Sequence, residues 1–204
     1  MRVVVITGGI GAGKSTASGF LRDKGAIIID ADLVAAQVLQ KGSPVLAHVA
    51  EAFGPDVLLA DGSLDRAALA RLAFATAEST ARLNAIVHPA VAREIGPAVA
   101  DLRLMPAPPC AVVLEVPLLA EAPVFAQIAD LVVAIVAPQE LRVQRAIASG
   151  FSEADVRRRL AVQASDAERA ALADVVIVND GSLERFLGEL EWVWHERVAE
   201  GEER

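Results

Sequence analysis

Five short apolar runs recur along the chain, and none of them alternates strictly between hydrophobic and polar residues. Continuous apolar runs of this length are typical of parallel β-strands that helices cover on both faces. Stretches with helical periodicity lie between them, and this alternation favours a doubly wound α/β fold. We therefore predict an α/β domain with a five-stranded parallel sheet, whose strands are residues 2–7, 26–30, 111–116, 130–136 and 174–178.

The segment between the second and third predicted strands is much longer than a single crossover connection requires. It contains helical patterns near residues 32–40, 43–53, 65–75 and 77–101, and the proline-rich residues 105–109 form a stiff linker back to the sheet. We predict that residues 32–109 are a helical insertion suited to a second substrate. The nucleotide-binding core is then formed by residues 1–31, 110–139 and 170–204.

The last helical pattern, residues 183–198, carries an apolar stripe on one face. Such a stripe is more often part of a core than a binding surface. Trp192 lies off the stripe, so we expect its side chain to be partly exposed. The stripe consists of Leu183, Phe186, Leu187, Leu190 and Trp194.

Composition narrows the possible partners of this 204-residue chain, of which 54 % is hydrophobic. The formal net charge of −8 disfavours nucleic-acid binding, because nucleic-acid binders usually carry a basic surface. The single cysteine, Cys110, cannot form an intrachain disulfide, and we expect it to be a small buried residue at a strand start. The longest apolar region, residues 111–137, is interrupted by charges and prolines, so we expect no membrane span and a cytoplasmic location. No protein partner is indicated.

Residues 8–15, Gly-Gly-Ile-Gly-Ala-Gly-Lys-Ser, follow the first predicted strand and open the first predicted helix. They match the P-loop pattern G-x-x-x-x-G-K-[ST] in the strand–loop–helix setting that the motif requires, which disfavours a merely structural turn. The loop N–H groups and the helix dipole would hold a phosphate chain, with Lys14 on the β- and γ-phosphates and the Ser15 hydroxyl on Mg²⁺. We therefore predict a P-loop NTPase-type fold that binds a nucleotide. The predicted nucleotide-binding residues of this segment are Gly9, Gly11, Ala12, Gly13, Lys14, Ser15 and Thr16.

Polar residues follow several predicted strands, at the sheet edge where ligands of doubly wound folds bind. Asp30 and Asp32 follow the second strand, and we interpret Asp32 as a base or orienting group for an acceptor hydroxyl. Helix capping would explain one of these two aspartates, but less easily both. Glu115 ends the third strand and is a candidate for an indirect contact with Mg²⁺. Asn179 follows the fifth strand, either near an adenine ring or in a simple turn with Ser182 as the cap of the next helix.

His88-Pro89 lies inside an otherwise helical region. One interpretation is a capped break between two helices, since a residue before proline avoids the α conformation. The other is a histidine that contacts substrate, and Arg93 about one turn later supports it. The local sequence does not choose between them.

Residues 140–169 form a predicted helical hairpin around Gly150 that is rich in arginine. A solvated face with salt bridges accounts for some of these side chains. A hairpin between the fourth and fifth strands is also where a lid would lie, and a lid arginine stabilises charge on the transferring group. We predict that Arg145 and Arg159 have that role. The arginines of this stretch are Arg142, Arg145, Arg157, Arg158, Arg159 and Arg169.

Taken together, the chain resembles the dephospho-coenzyme A kinase family. The resemblance rests on residues 7–15, Asp30-Ala31-Asp32, His88-Pro89, Val116-Pro117-Leu118-Leu119, Arg159 four residues before Gln163, Ala173-Asp174 and Asn179-x-Gly181. It implies a kinase that transfers phosphate from ATP, with Mg²⁺, to the ribose 3′-hydroxyl of dephospho-CoA. It further implies Asp32 as the base, Arg145 acting from the lid, Asn179 near adenine, and an acceptor site lined by His88, Arg93 and Leu118.

The chain departs from the usual family pattern at three places. Ala35 and Ala36 stand where an arginine is common, Ala148 precedes the lid turn where another is common, and Glu115 replaces an aspartate. The alternative function is another P-loop small-molecule kinase, with a nucleoside or nucleotide acceptor. A GTPase is disfavoured because neither Asn84 nor Asn179 begins an Asn-Lys-x-Asp motif, and a non-catalytic nucleotide-binding module would bind ATP without turnover.

Overall fold

The computed structural model describes residues 1–117, 119 and 123–199. Their five strands are β1 (Arg2–Thr7), β2 (Ile27–Asp30), β3 (Ala111–Glu115), β4 (Leu131–Val136) and β5 (Val175–Val178). Their α-helices are α1 (Lys14–Asp23), α2 (Ala31–Val38), α3 (Pro44–Phe53), α4 (Arg66–Ala73), α5 (Ala77–Arg103), α6 (Gln139–Ala148), α7 (Glu153–Val162), α8 (Asp166–Ala170) and α9 (Leu183–Val193). Short 3₁₀ turns lie at Pro55–Val57 and Pro123–Ile128.

The five strands form one parallel sheet in the order β2-β3-β1-β4-β5. This confirms the predicted fold class, and each strand begins and ends within one residue of its predicted range. Strand β1 lies in the centre of the sheet, so the loop that follows it is supported by strands on both sides. At the amino ends of the strands, away from this loop, the carboxylates of Asp130 and Asp174 accept the N–H groups of Val3 and Val132 at 2.8 Å.

The central strands are buried on both faces, as their continuous apolar sequences predict. One face packs against α1 and α9 through Ile6, Ile135, Leu21 and Phe186, which are at most 3 % exposed. The two edge strands are less buried than predicted, since helices do not cover both of their faces completely. Ile27 of β2 is exposed, and so are Val176 and Val178 of β5, because an edge strand has a neighbour on one side only.

The apolar stripe of α9 is only partly buried. Phe186 and Leu190 face the core, whereas Leu183 is 61 % exposed, so its assignment to the stripe was wrong. Leu183 is the first residue of the helix, where the chain has just left the loop after β5. Trp192 is exposed as predicted, and the chain continues as a π-helical turn, Trp194–Val198, that buries Trp194.

The chain divides into two compact units, Met1–Asp30 with Val99–Arg204, and Ala31–Ala98. The second unit contains α2 to α4 and most of α5. Two of its helices begin at a capping side chain. The Ser43 hydroxyl accepts the N–H of Leu46 at the start of α3, and the Asp65 carboxylate accepts those of Ala67 and Ala68 at the start of α4. Predicted residues 99–109 of the insertion belong to the first unit instead.

Helix α5 continues through Pro89 and Pro97, so the capped break, which was one of the two interpretations of His88-Pro89, does not occur. Proline removes one helical hydrogen bond each time, which is a local cost. The buried side chains of Val87, Val91 and Ile95 stabilise this helix by packing, and packing provides most of the stability of helices in proteins. No helix among the described residues has the length and apolar character needed to cross a bilayer.

Two leucines of α9, Leu190 and Leu183, provide a test of the core. We expect Leu190→Ala to reduce the free energy of unfolding by about 2–5 kcal/mol, since it removes a fully buried side chain. Leu183→Ala is the matched control, and we expect a change within about 0.5 kcal/mol because that side chain is exposed. Urea denaturation of the three proteins measures both values, and equal losses would contradict the assignment of the core.

Candidate active site

The loop between β1 and α1 turns sharply at two glycines. Gly11 has φ +72° and Gly13 has φ +110°, which is a region that L side chains rarely adopt. Gly13 is also the N-cap of α1, and it offers no side-chain acceptor to the first N–H groups of that helix. In contrast, backbone N–H groups at the N-termini of α3, α4, α7, α8 and α9 all donate to a serine or aspartate side chain. The N-terminus of α1 is thus left without a side-chain cap, as an anion-binding helix end requires.

Neighbouring elements approach the loop so closely that its glycines admit no side chain. A Cβ on Gly8 would lie 2.5 Å from the carbonyl oxygen of Ile135 in β4. A Cβ on Gly9 or Gly11 would collide with Arg142, and one on Gly13 would collide with the Asn179 side chain. The glycine pattern of the motif therefore reflects tight packing as well as backbone freedom.

Lys14 begins α1 and extends back along the loop. Its ammonium group donates to the carbonyl oxygens of Gly8 at 2.8 Å and of Gly9 at 3.2 Å. Ser15 and Thr16 follow it in the first turn of α1, and both are exposed. The Lys14 side chain thus lies along the loop, and the hydroxyl groups of Ser15 and Thr16 follow where the loop ends and α1 begins.

Asn179 and Arg145 are connected to the loop by one chain of hydrogen bonds, although the sequence patterns assign Asn179 to the end of a strand and Arg145 to the lid. The buried Asn179 side chain donates to the Ala12 carbonyl oxygen at 2.9 Å. Arg145 of α6 donates to the backbone oxygen of Asn179 at 2.9 Å and to its side-chain oxygen at 3.2 Å. Of the two interpretations of this loop, the one with Ser182 as the helix cap is confirmed, since its hydroxyl accepts the N–H of Arg185 at the start of α9, whereas the position near an adenine stays a prediction. Arg145 is therefore connected to Ala12 of the phosphate loop through Asn179.

Sequence reasoning missed two side chains that touch the loop. Gln163, just after α7, accepts the N–H of Ile10 through its side-chain oxygen at 3.3 Å. Arg142 of α6 is 6 % exposed, and its Nε donates to the Ile10 carbonyl oxygen at 3.1 Å. The available signal was its position one helical turn before Arg145, which places both arginines on the same side of α6.

Arg159, the other selected lid arginine, lies on the exposed side of α7. Its guanidinium stands over the ring of Phe151, 5.3 Å from the centroid. Nearby Arg157 forms surface ion pairs with Glu153 and Glu140, as the salt-bridge interpretation predicts. Arg159 is thus packed on its own hairpin, and its proposed contact with phosphate remains a prediction.

Two carboxylates lie at the carboxyl ends of neighbouring strands. Asp30 of β2 is the register partner of Glu115 of β3, and Glu115 is also the partner of Ile6 in β1. Both side chains are half-buried. Within the described part of the chain, no three His, Cys, Asp or Glu side chains cluster closely enough to hold a metal ion.

Three of the predicted acceptor residues, Asp32, His88 and Arg93, belong to the second unit. Asp32 is an exposed residue in the first turn of α2, immediately after β2. His88 is half-buried in α5, and exposed Arg93 donates from Nε to the Pro89 carbonyl oxygen at 3.3 Å. Because α5 is continuous, His88 and Arg93 are about 140° apart around its axis, rather than on one face. Leu118 falls outside the described residues.

Comparison with known proteins agrees with the motif analysis. A family model described as dephospho-CoA kinase matches residues 2–185. A curated dephospho-CoA kinase from Mycobacterium tuberculosis H37Rv is 46 % identical over 197 residues, covering 95 % of this chain and 46 % of that protein. One from Streptomyces avermitilis is 45 % identical over 202 residues, covering 97 % of this chain and 95 % of that protein. The crystal structure of TT1252 from Thermus thermophilus superposes with a TM-score of 0.77 at 35 % identity, covering 96 % of this chain and 97 % of that one.

These matches extend over nearly all of the chain. It spans about half the length of the mycobacterial relatives, and nearly the whole length of the Streptomyces one. The matched region includes the phosphate loop, the aspartate pair, the His-Pro dipeptide and Asn179. The chain therefore belongs to the dephospho-CoA kinase family of P-loop kinases.

Proposed function

We propose that this protein transfers the γ-phosphoryl group of ATP to the ribose 3′-hydroxyl of dephospho-CoA, giving CoA and ADP, the last step of coenzyme A synthesis. The observation that carries the proposal is the phosphate loop on the central strand, within a chain that matches the family model over residues 2–185. A cytoplasmic location is part of the proposal, because ATP is a cytoplasmic metabolite.

The donor half of the site consists of the loop and the N-terminus of α1. Its inward-facing N–H groups bind the phosphates of ATP, and Lys14 exchanges its contacts with the Gly8 and Gly9 carbonyl oxygens for the β- and γ-phosphates. Asn179 positions the loop at Ala12, and the family resemblance assigns it a place near the adenine. Arg145 supports Asn179, and it reaches the transferring phosphate only by giving up these two hydrogen bonds. Arg159 contributes from the hairpin in the same step.

Mg²⁺ fits the oxygen donors that the first unit offers. The exposed Ser15 hydroxyl would hold the ion, and the half-buried carboxylate of Glu115, which is in register with Asp30, would contribute indirectly. When bound, the ion supplies neutralisation of the charge on the β- and γ-phosphates. The protein's own part is to orient the two phosphates and to keep hard oxygen donors beside them.

The acceptor half is supplied by the second unit. Phosphoryl transfer requires chiefly positioning, so one carboxylate that orients the acceptor hydroxyl and accepts its proton is sufficient. We assign that role to Asp32, whose exposed side chain follows the carboxyl end of β2. The family resemblance also assigns His88, Arg93 and Leu118 to the acceptor site.

An acceptor screen tests the function directly. We expect ADP release from Mg-ATP to require dephospho-CoA, with negligible turnover on nucleoside monophosphates or pantothenate, because the motif set beyond the P-loop is that of the dephospho-CoA kinase family. A coupled ADP assay measures it for each acceptor. Equal turnover on those other acceptors would instead support a different small-molecule kinase, and ATP binding without any turnover would support a non-catalytic module.

Replacement of the proposed base tests the acceptor side. We expect Asp32→Asn to lower kcat by about 10²–10⁴-fold, the range of general acid–base groups, while the Kd for ATP stays unchanged. Asp56→Asn, an exposed aspartate of the same unit, is the matched control and should keep the wild-type rate. A near-normal kcat in Asp32→Asn would remove this residue from the base role.

The packing of the loop can be tested at a glycine without unusual φ. We expect Gly8→Ala to weaken Mg-ADP binding about tenfold or more, because its methyl group must displace the loop from β4, and overpacking typically costs about 1–3 kcal/mol. Gly19→Ala in α1 meets no atom within 4 Å, so we expect normal affinity and unchanged or higher stability. Calorimetric titration measures both, and equal affinities would refute the packing argument.

A further inference from the structure

Arg142 holds a backbone carbonyl of the phosphate loop from outside. Its Nε donates to the Ile10 oxygen at 3.1 Å, and its Nη1 donates to Asp166 Oδ1 at 2.8 Å. The Arg142 side chain is only 7 % exposed and is largely shielded from water, whereas that of Asp166 is 30 % exposed. Removing one member of a buried charged pair leaves the other uncompensated, which makes such a contact consequential for its neighbours.

The shape of the loop is matched to this arginine. Gly9 is buried, and a Cβ there would overlap the guanidinium group. A Cβ on Gly11 would overlap the backbone carbonyl of Arg142. Two of the motif glycines therefore lie against Arg142, one on its side chain and one on its backbone.

The contact at Ile10 determines where the next N–H group points. In a trans peptide, the carbonyl oxygen of one residue and the N–H of the next point in opposite directions across one plane. With the Ile10 oxygen on Arg142, the N–H of Gly11 is directed away from Arg142. The N–H of Ile10 itself donates to Gln163, so one polar group of this residue is oriented by α6 and the other by the residue that follows α7.

Asp166 anchors the arginine in turn. It is the first residue of α8, whose start is fixed by a capping box between Ser165 and Glu168. The backbone N–H and then the hydroxyl of Ser165 hold the pKa of the Glu168 carboxyl below its usual range. Arg169, which is buried in the same helix, also donates to Asp166 Oδ1. The position of Asp166 is thus set by a well-defined helix start that packs on β4.

We propose that Arg142 is a positioning residue for nucleotide binding: it orients the Ile10–Gly11 peptide of the phosphate loop, with Asp166 as its anchor. Lysine cannot replace it, because one ammonium group does not span the Ile10 carbonyl and the Asp166 carboxylate with the planar fork of a guanidinium. The inference rests on the nucleotide-binding part of the proposed function, and not on the identity of the acceptor.

A cavity beside this side chain makes a rescue experiment feasible. It measures about 340 Å³, and its lining includes Gln139, Arg142, Leu160, Gln163, Ser165 and Asp166. A guanidinium ion is small enough to enter such a volume when the arginine is truncated. Its planar set of donors matches the two acceptors that Arg142 leaves behind.

The test compares Kd values for Mg-ADP by calorimetric titration. We expect Arg142→Ala and Arg142→Lys to weaken binding about tenfold or more, the scale of a hydrogen bond to a charged group, while dephospho-CoA binding changes less than twofold. Arg157→Ala removes an arginine that forms only surface ion pairs, and it should keep the wild-type Kd. Guanidinium, below denaturing concentrations, should restore Mg-ADP affinity to Arg142→Ala, whereas ammonium at equal ionic strength should not.

Three results would overturn the proposal: an unchanged Kd in Arg142→Lys, an equal loss of affinity for both ligands, or equal restoration by guanidinium and ammonium. If Arg142→Ala fails to fold, Arg142→Lys and Asp166→Asn decide the question, and the latter should weaken Mg-ADP binding in the same direction. A wild-type protein that binds no Mg-ADP overturns both this inference and the proposed function. One that binds Mg-ADP but does not phosphorylate dephospho-CoA overturns the proposed function alone.

Discussion

A loop that binds phosphate through its backbone must point its N–H groups inward, and contacts made to its carbonyl groups from the outside help to hold it in that conformation. Each peptide plane has an N–H on one side and a carbonyl on the other, so fixing one fixes its partner. In this protein the carbonyls of Gly8 and Gly9 accept from Lys14, that of Ile10 accepts from Arg142, and that of Ala12 accepts from Asn179. The geometry of the active site depends on these contacts.

The same requirement explains how the surrounding elements are arranged. The loop leaves the central strand, where β4 on one side provides a backbone against which Gly8 packs. Helix α6 follows β4 and brings Arg142 and Arg145 to the loop one helical turn apart, the first directly and the second through Asn179. Ile10 also packs with Val143, Ala146 and Val156 in a small apolar cluster of α6 and α7. The predicted lid segment is therefore joined to the loop by both polar and apolar contacts.

The residues proposed for the two halves of the reaction belong to different parts of the chain. The proposed donor residues lie in the unit that contains the sheet, where hydrogen bonds join distant segments. The proposed acceptor residues Asp32, His88 and Arg93 lie on the helices of the other unit. A separate helical unit allows the acceptor site to be shaped without altering the phosphate loop, which fits a family defined by its acceptor rather than by ATP.

The sequence by itself determined the strands, the phosphate loop and the family. These features arise from local patterns: a continuous apolar run, a glycine-rich motif in its strand–loop–helix setting, and short motifs in a fixed order. It did not reveal that Leu183 is exposed, that α5 continues through Pro89, or that Arg142 rather than Arg159 lies on the loop. Those outcomes depend on contacts between residues far apart in the chain, such as the 132 positions that separate Ile10 from Arg142, and only the tertiary structure brings such pairs together.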